Sequence, residues 1–170
     1  MATGLVLVER PEIVVFDKVV KQARDVQFFS DIVKGYLYSG KISYSQPMPA
    51  WLSQLMSTIN IHFGTKFNSA LVNRYRNGED CVGSHSDDER SLVYGSPIAS
   101  LSLGASRTFR IREKSKMAPI LADLLLNSGD FVMMQGNFQS EFKHEIPKEK
   151  KITQPRVSLT FREHKMLENL

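Results

Sequence analysis

The stretch RVSLTFR, residues 156–162, alternates from end to end. Arg156, Ser158, Thr160 and Arg162 fall on one side of an extended chain, and Val157, Leu159 and Phe161 on the other, because successive strand side chains point to opposite faces. A period of two predicts a β-strand. Its polar face admits two readings. It is the solvated basic side of an edge strand, or it is a pocket wall where guanidinium groups clamp a carboxylate through paired hydrogen bonds.

Five neighbouring segments share its character: FNSALVNRY (67–75), PIASLSLG (97–104), RTFRIRE (107–113), DFVMMQG (130–136) and EFKHEIP (141–147). Each is short, rich in β-branched or aromatic residues, and bounded by turn formers. Two helices are expected before them. In FDKVVKQARDVQFFSDIVK (16–34), apolar residues recur at spacings of three and four from Phe16 to Val33, as on an amphipathic helix. PAWLSQLMSTINIHF (49–63) has Pro49 in its first turn and Gly64 just past its end, both helix-boundary signals. Helices followed by strands predict a mainly β (α+β) chain, a sandwich or barrel with the N-terminal helices packed on one side.

The 170 residues suit one domain, 1–170, with a substantial core. A net charge of +4 agrees with a nucleic-acid partner without requiring one. One cysteine, Cys81, excludes an internal disulfide and suits a reducing compartment. No apolar run reaches the roughly 20 residues needed to cross a bilayer. The N-terminus lacks the pattern of a secretory signal. An intracellular monomer with no membrane contact is expected.

The chain has four histidines, and one of them, His85, lies in HSDDE (85–89), two residues from Asp87. On a strand, His85 and Asp87 share a side while Ser86 turns away. Imidazole and carboxylate suit a divalent first-row metal. His144 is the best third ligand; His62 sits in the apolar end of a helix and His164 in the charged tail. Two histidines and a carboxylate on one face of an octahedron leave three positions for a bidentate co-substrate and dioxygen, the facial triad of non-haem iron(II) oxygenases. A surface strand carrying acids for solubility is the other reading. Asn73 and Tyr75, which share a strand face, are candidate neutral donors to the ligand of Arg156, or simply strand residues.

Together, NRY (73–75), HSDDE, SPIASLSLG (96–104), LNSGDFVMMQG (126–136), His144 and RVSLTFR stand in the order found in the AlkB family of iron(II)- and 2-oxoglutarate-dependent dioxygenases, which this chain resembles from about residue 34 to residue 163. The resemblance implies a double-stranded β-helix, a jelly roll, with a nucleotide-recognition lid at about 20–50 and a catalytic core at about 65–163. It implies Fe(II) on His85, Asp87 and His144. It also implies 2-oxoglutarate on Arg156, helped by Asn73 and Tyr75, with Ser158 on the same strand face as a further co-substrate contact and Arg162 near the co-substrate's metal-chelating end. Many family members have asparagine where this chain has Ser158, whose reach is shorter. The implied reaction hydroxylates the N-methyl group of bases such as 1-methyladenine and 3-methylcytosine, releasing formaldehyde, succinate and CO2. On the substrate side it implies Tyr36, in GYLYSG (35–40), Glu89 near the exocyclic amine, and Phe29 as the stacking aromatic. Phe29 and Glu89 also read plainly as a core aromatic and a solvated acid.

The short lid, and a likeness of RxSxTFR to the AlkB-like domains of plant RNA viruses, favour alkylated single-stranded DNA or RNA, with duplex DNA as a further option. Arg107, Arg110, Arg112, Lys114 and Lys116, and the cluster Lys148, Lys150 and Lys151, are either phosphate contacts or solvated faces. Two other functions stay open at this point. The same iron chemistry could act on a protein or small molecule, or the chain could be a non-catalytic nucleic-acid-binding β-sandwich.

Overall fold

The computed structural model describes residues 5–8, 26–32, 35–38, 41–115 and 119–166. In chain order these form β1 (Leu5–Val8), β2 (Val26–Phe29), β3 (Gly35–Tyr38), β4 (Lys41–Gln46), α1 (Ala50–Phe63), β5 (Ser69–Tyr75), β6 (Val82–His85) and β7 (Ile98–Gly104). Next come β8 (Arg107–Glu113), β9 (Ile120–Leu126), β10 (Phe131–Met134), α2 (Phe138–Glu141), β11 (Phe142–Ile146) and β12 (Arg156–Arg162). The strands make two sheets, ordered β1-β10-β7-β12-β5-β2-β4-β3 and β6-β11-β8-β9.

RVSLTFR is β12, and it is not an edge. It pairs antiparallel with β5 on one side and β7 on the other. Its two faces therefore meet different layers. Leu159 and Phe161, 1% and 0% exposed, join Leu52 and Ile59 of α1 in one core. Each such burial contributes about 1.5–3 kcal/mol. The polar side chains of Arg156, Ser158, Thr160 and Arg162 are buried too, so the solvated-edge reading of that face is excluded. A second core, with Tyr75, Phe109, Ile111, Leu126, Val132 and Ile146, lies between the sheets.

The expected helix at 49–63 is α1. Pro49 precedes it, and Gly64 ends it at φ 65° with its N–H donated to the Asn60 carbonyl, a left-handed turn that glycine adopts without strain. The other expected helix needs correction. Residues 9–25 lie outside the described residues, and Val26–Phe29 is a strand, antiparallel to β5 and parallel to β4. β-Branched and aromatic side chains in VQFF suit a pleated surface, and pairing with β5 satisfies its backbone, which overrides the helical spacing. Among the described residues no helix is long and apolar enough to cross a membrane.

The turn after β5 is tied to the loop after β11. Gly78 donates its N–H to the Ile152 carbonyl at 2.7 Å and accepts from the Glu149 N–H at 2.8 Å. A Cβ at Gly78 would collide with the Glu149 backbone, whereas at Gly83 it would meet nothing within 4 Å. Gly78→Ala is therefore expected to cost about 1–3 kcal/mol, as overpacking does, and Gly83→Ala little. Thermal melts of the two variants check this, and equal melting temperatures would contradict it.

Candidate active site

The antiparallel pairing of β6 with β11 sets His85 directly opposite His144, and their ring centroids are 4.3 Å apart. Asp87 lies two residues past the end of β6, fully in the interior at 3% exposure. One ligand atom from each of the three residues lies within 4.8 Å of the others. Ser86 turns away and donates its hydroxyl to the Phe142 carbonyl at 2.8 Å.

The hydrogen bonds leave these atoms ready for a cation. His85 Nδ1 lies 2.8 Å from the Gly83 carbonyl, which fixes its proton there and leaves a lone pair on Nε2. That lone pair lies 3.3 Å from Asp87 Oδ1, a buried oxygen that makes no hydrogen bond. The second oxygen, Oδ2, accepts from Arg162 Nη2 at 2.7 Å and Nε at 3.2 Å. Two lone pairs facing each other in the interior are stable only with a proton or a metal ion between them. Burial disfavours the Asp87 carboxylate, yet the Arg162 guanidinium and His85 outweigh it and hold its pKa well below the usual carboxylate range. Burial lowers the His144 pKa to about 4, so its imidazole is neutral at neutral pH, as a metal ligand must be. His85 is pushed down by burial but raised further by Asp87, so a proton and a metal compete for its lone pair. Two imidazoles and one carboxylate fit a divalent first-row metal with positions left open.

A cavity of about 600 Å³ between the sheets is lined by these three residues together with Asn73, Tyr75, Arg156, Ser158 and Arg162. Register explains the grouping, because Arg156 faces Tyr75 and Ser158 faces Asn73 across the β12–β5 pair. Arg156 is 2% exposed. Its Nη2 donates to Ser102 Oγ at 2.7 Å, and its guanidinium carbon lies 5.0 Å from the centre of the Tyr75 ring. Nε and Nη1 are buried and make no hydrogen bond. Buried charged donors without acceptors are costly, and one carboxylate would satisfy both. Ser102 was not among the sequence candidates. Its position on the Ser100 face of β7 by the period of two, opposite Ser158, is the signal that could have found it.

The remaining candidates divide. Tyr36 lies in β3, paired with Ser43 of β4; its side chain is outside the described residues. Phe29 does not line the cavity: its ring belongs to the core around α1, which corrects its expected stacking role. Strand parity is the reason, since Val26 and Phe28 pair with Asn73 and Leu71 and Phe29 points to the opposite face. Glu89 is half-buried in an adjoining cavity of about 370 Å³, which shares Asp87 with the first. His164 is no exposed tail residue; it is 2% exposed, with Nδ1 2.8 Å from Ser69 Oγ. His62 is exposed in the last turn of α1.

The first basic segment is not an open cationic strip. Arg107 is buried, bonded to Glu149 and to the Asn77, Asp80 and Pro147 carbonyls. Arg110 pairs with Asp123, Arg112 with Glu145 and Lys114 with Asp88; Lys116 lies outside the described residues. Lys148, Lys150 and Lys151 are exposed, while Glu149 between them bonds inward to Arg107 and Thr108.

Residues 9–162 match the family described as the 2OG-Fe(II) oxygenase superfamily. The chain is 36% identical over 154 residues to DNA oxidative demethylase ALKBH2 of Bos taurus, covering 87% of this chain and 55% of that protein. It is 41% identical over 127 residues to alpha-ketoglutarate-dependent dioxygenase alkB homolog 3 of Homo sapiens, covering 69% of this chain and 44% of that one. The chain thus spans about half the length of these curated relatives. The solved structure of OsALKBH1 superposes with a TM-score of 0.58 at 19% identity, covering 82% of this chain and 77% of that one, a likeness of fold that agrees with a jelly roll. The family match runs through every strand after β1 and takes in both the ligand cluster and β12, and the chain belongs to the 2OG-Fe(II) oxygenase superfamily, within its AlkB family.

Proposed function

We propose that this chain removes N-methyl groups oxidatively from bases such as 1-methyladenine and 3-methylcytosine in single-stranded DNA or RNA. The observation that carries the reading is one cavity holding both the His85–Asp87–His144 cluster and the two acceptorless donors of Arg156. The names of the relatives support the nucleic-acid substrate. The superfamily uses Fe(II), 2-oxoglutarate and dioxygen. Bound together, these supply the oxidation that converts an N-methyl group to a hydroxymethyl group, lost as formaldehyde, with succinate and CO2 as co-products.

The residues divide the remaining work. His85, Asp87 and His144 would hold the iron. Arg162 occupies one oxygen of Asp87 and so leaves the other for the metal. Arg156 would take the far carboxylate of 2-oxoglutarate, with Tyr75, Asn73 and Ser158 as neighbouring polar groups on the same wall. Leu71, Phe109, Met134 and Ile146 line the same space, lowering its dielectric and limiting water around the reacting centre. A target base must leave its stack to enter such a cavity, which is easiest in a single strand. The exposed thiol of Cys81 supports a reducing compartment.

The test measures formaldehyde and restored base on methylated single-stranded DNA, duplex DNA and RNA of one sequence, with iron and 2-oxoglutarate added. Turnover is expected on the single strands first. Failure on all three substrates, or succinate release stimulated only by methylated peptide, would overturn the proposal.

A further inference from the structure

The strand that brings His85 to the metal cluster stops at His85, and its pairing with β11 is short and irregular. His85 faces His144, Val82 faces Ile146, and the register shifts between them. The Asp87 backbone N–H therefore has no ladder partner. A backbone donor at a buried residue needs an acceptor, and a side chain supplies it: Asp87 N–H donates to Gln139 Oε1 at 2.8 Å. The Gln139 amide is oriented by both ends, since its Nε2 contacts Met134 Sδ at 3.4 Å. Its own backbone is held in turn, because Lys114 Nζ donates to the Gln139 carbonyl at 3.0 Å and to Asp88 Oδ2 at 2.9 Å.

We infer that Gln139 is a positioning residue for the metal centre, locking the Asp87 backbone so that its free oxygen meets the imidazoles of His85 and His144. The inference rests on the metal-site reading above and adds to it a device outside the ligands. Gln139 lies in α2, the single turn that leads directly into β11 and His144. One short segment thus governs the distance between the two halves of the cluster. The Ser86 hydroxyl bond to the Phe142 carbonyl ties the same two segments a second time, one residue earlier. With Arg162 on its side chain and Gln139 on its backbone, Asp87 has little freedom left. Partners of this kind, which orient ligands without touching the metal, are typically worth 10–100-fold in metal affinity.

The experiment titrates metal-free protein with Co(II), read by visible absorption, and follows amide hydrogen exchange at Asp87 by NMR. Gln139→Met keeps the length of the side chain and removes the acceptor. Gln139→Glu keeps an acceptor oxygen. The Met variant is expected to bind cobalt about tenfold more weakly or worse, to exchange the Asp87 amide faster, and to melt somewhat below the parent because the buried Asp87 N–H loses its acceptor. The Glu variant is expected to bind nearly as the parent does. Unchanged cobalt affinity in Gln139→Met, an unchanged Asp87 exchange rate, or equal loss in both variants would each overturn the inference. His85→Ala separates the two levels: if it binds cobalt as well as the parent, the metal-site reading itself has failed.

Discussion

Asp87→Ala is expected to abolish turnover and to lower the stability of the metal-free fold by about 3–5 kcal/mol, the cost of removing one partner from a buried ion pair. The two effects come from different oxygens. Oδ1 is the one that faces the imidazoles; without it the metal keeps two ligands and is poorly held. Oδ2 accepts both Arg162 contacts, and Arg162 is itself only 3% exposed. Alanine takes from that buried guanidinium the carboxylate oxygen that both its Nε and Nη2 reach. For a chain of this size each kcal/mol moves the melting temperature by about 2–4 °C, so the drop should be plain in a thermal melt. Asp87→Asn retains an acceptor for Arg162 and is expected to lose less stability while still losing the metal. Adding Arg162→Met to Asp87→Ala is expected to restore much of the stability and none of the activity. A single variant that melts like the parent would show that the pair does not hold the fold, and measurable turnover in it would remove Asp87 from the metal centre.

The same pair shows how far the sequence could be read. Asp87 and Arg162 are 75 positions apart, yet each was legible as a candidate, because HxD and the alternation of RVSLTFR obey a strand period that needs no knowledge of partners. What a period cannot tell is which face is buried. The four polar residues of β12 suited a solvated edge until the order β7-β12-β5 put that strand in the middle of the sheet. The stacking role of Phe29 rested on counting along the family pattern, which cannot say which face of β2 a residue takes, while its plainer reading as a core aromatic agrees with its place beside α1. Arg107 reads as a surface cation in the sequence because its acceptors, Glu149 and the Asn77, Asp80 and Pro147 carbonyls, come from loops far away along the chain. β9 escaped notice for a different reason. ILADLLL is nearly continuous in apolar residues, and on the free edge of the smaller sheet it exposes Leu121 and Leu125, so no alternation marked it. Gln139 carried no signal at all, since a glutamine one turn before a strand is an ordinary surface residue until its acceptor is seen on Asp87. Local geometry was readable; long-range pairing of charges was not.

Arg156→Leu should have the opposite character to Asp87→Ala, with activity lost and stability kept. Arg156 donates one hydrogen bond, to Ser102, and has two buried donors with none. Replacing it by leucine gives up the Ser102 bond and the contact with the Tyr75 ring, each worth about 1 kcal/mol, but removes two unsatisfied charged donors whose combined desolvation costs at least as much. The melting temperature without ligand is therefore expected to stay level or rise. Co-substrate binding should suffer heavily, because two charge-assisted bonds to a carboxylate, at about 1.5–3 kcal/mol each, correspond to at least about a hundredfold in affinity. Ligand protection gives the clearest reading of both effects. With Mn(II) present, 2-oxoglutarate at a hundred times its Kd should stabilise the parent by about 2.7 kcal/mol, and the same concentration should stabilise Arg156→Leu by no more than about 0.4 kcal/mol. Arg156→Lys, a point charge in place of a planar fork, should fall between them. If leucine instead lowers the ligand-free melting temperature sharply, the guanidinium is held by partners inside the protein, and its two open donors are not a seat for a carboxylate. If 2-oxoglutarate still protects the leucine variant fully, the co-substrate is anchored elsewhere in the cavity.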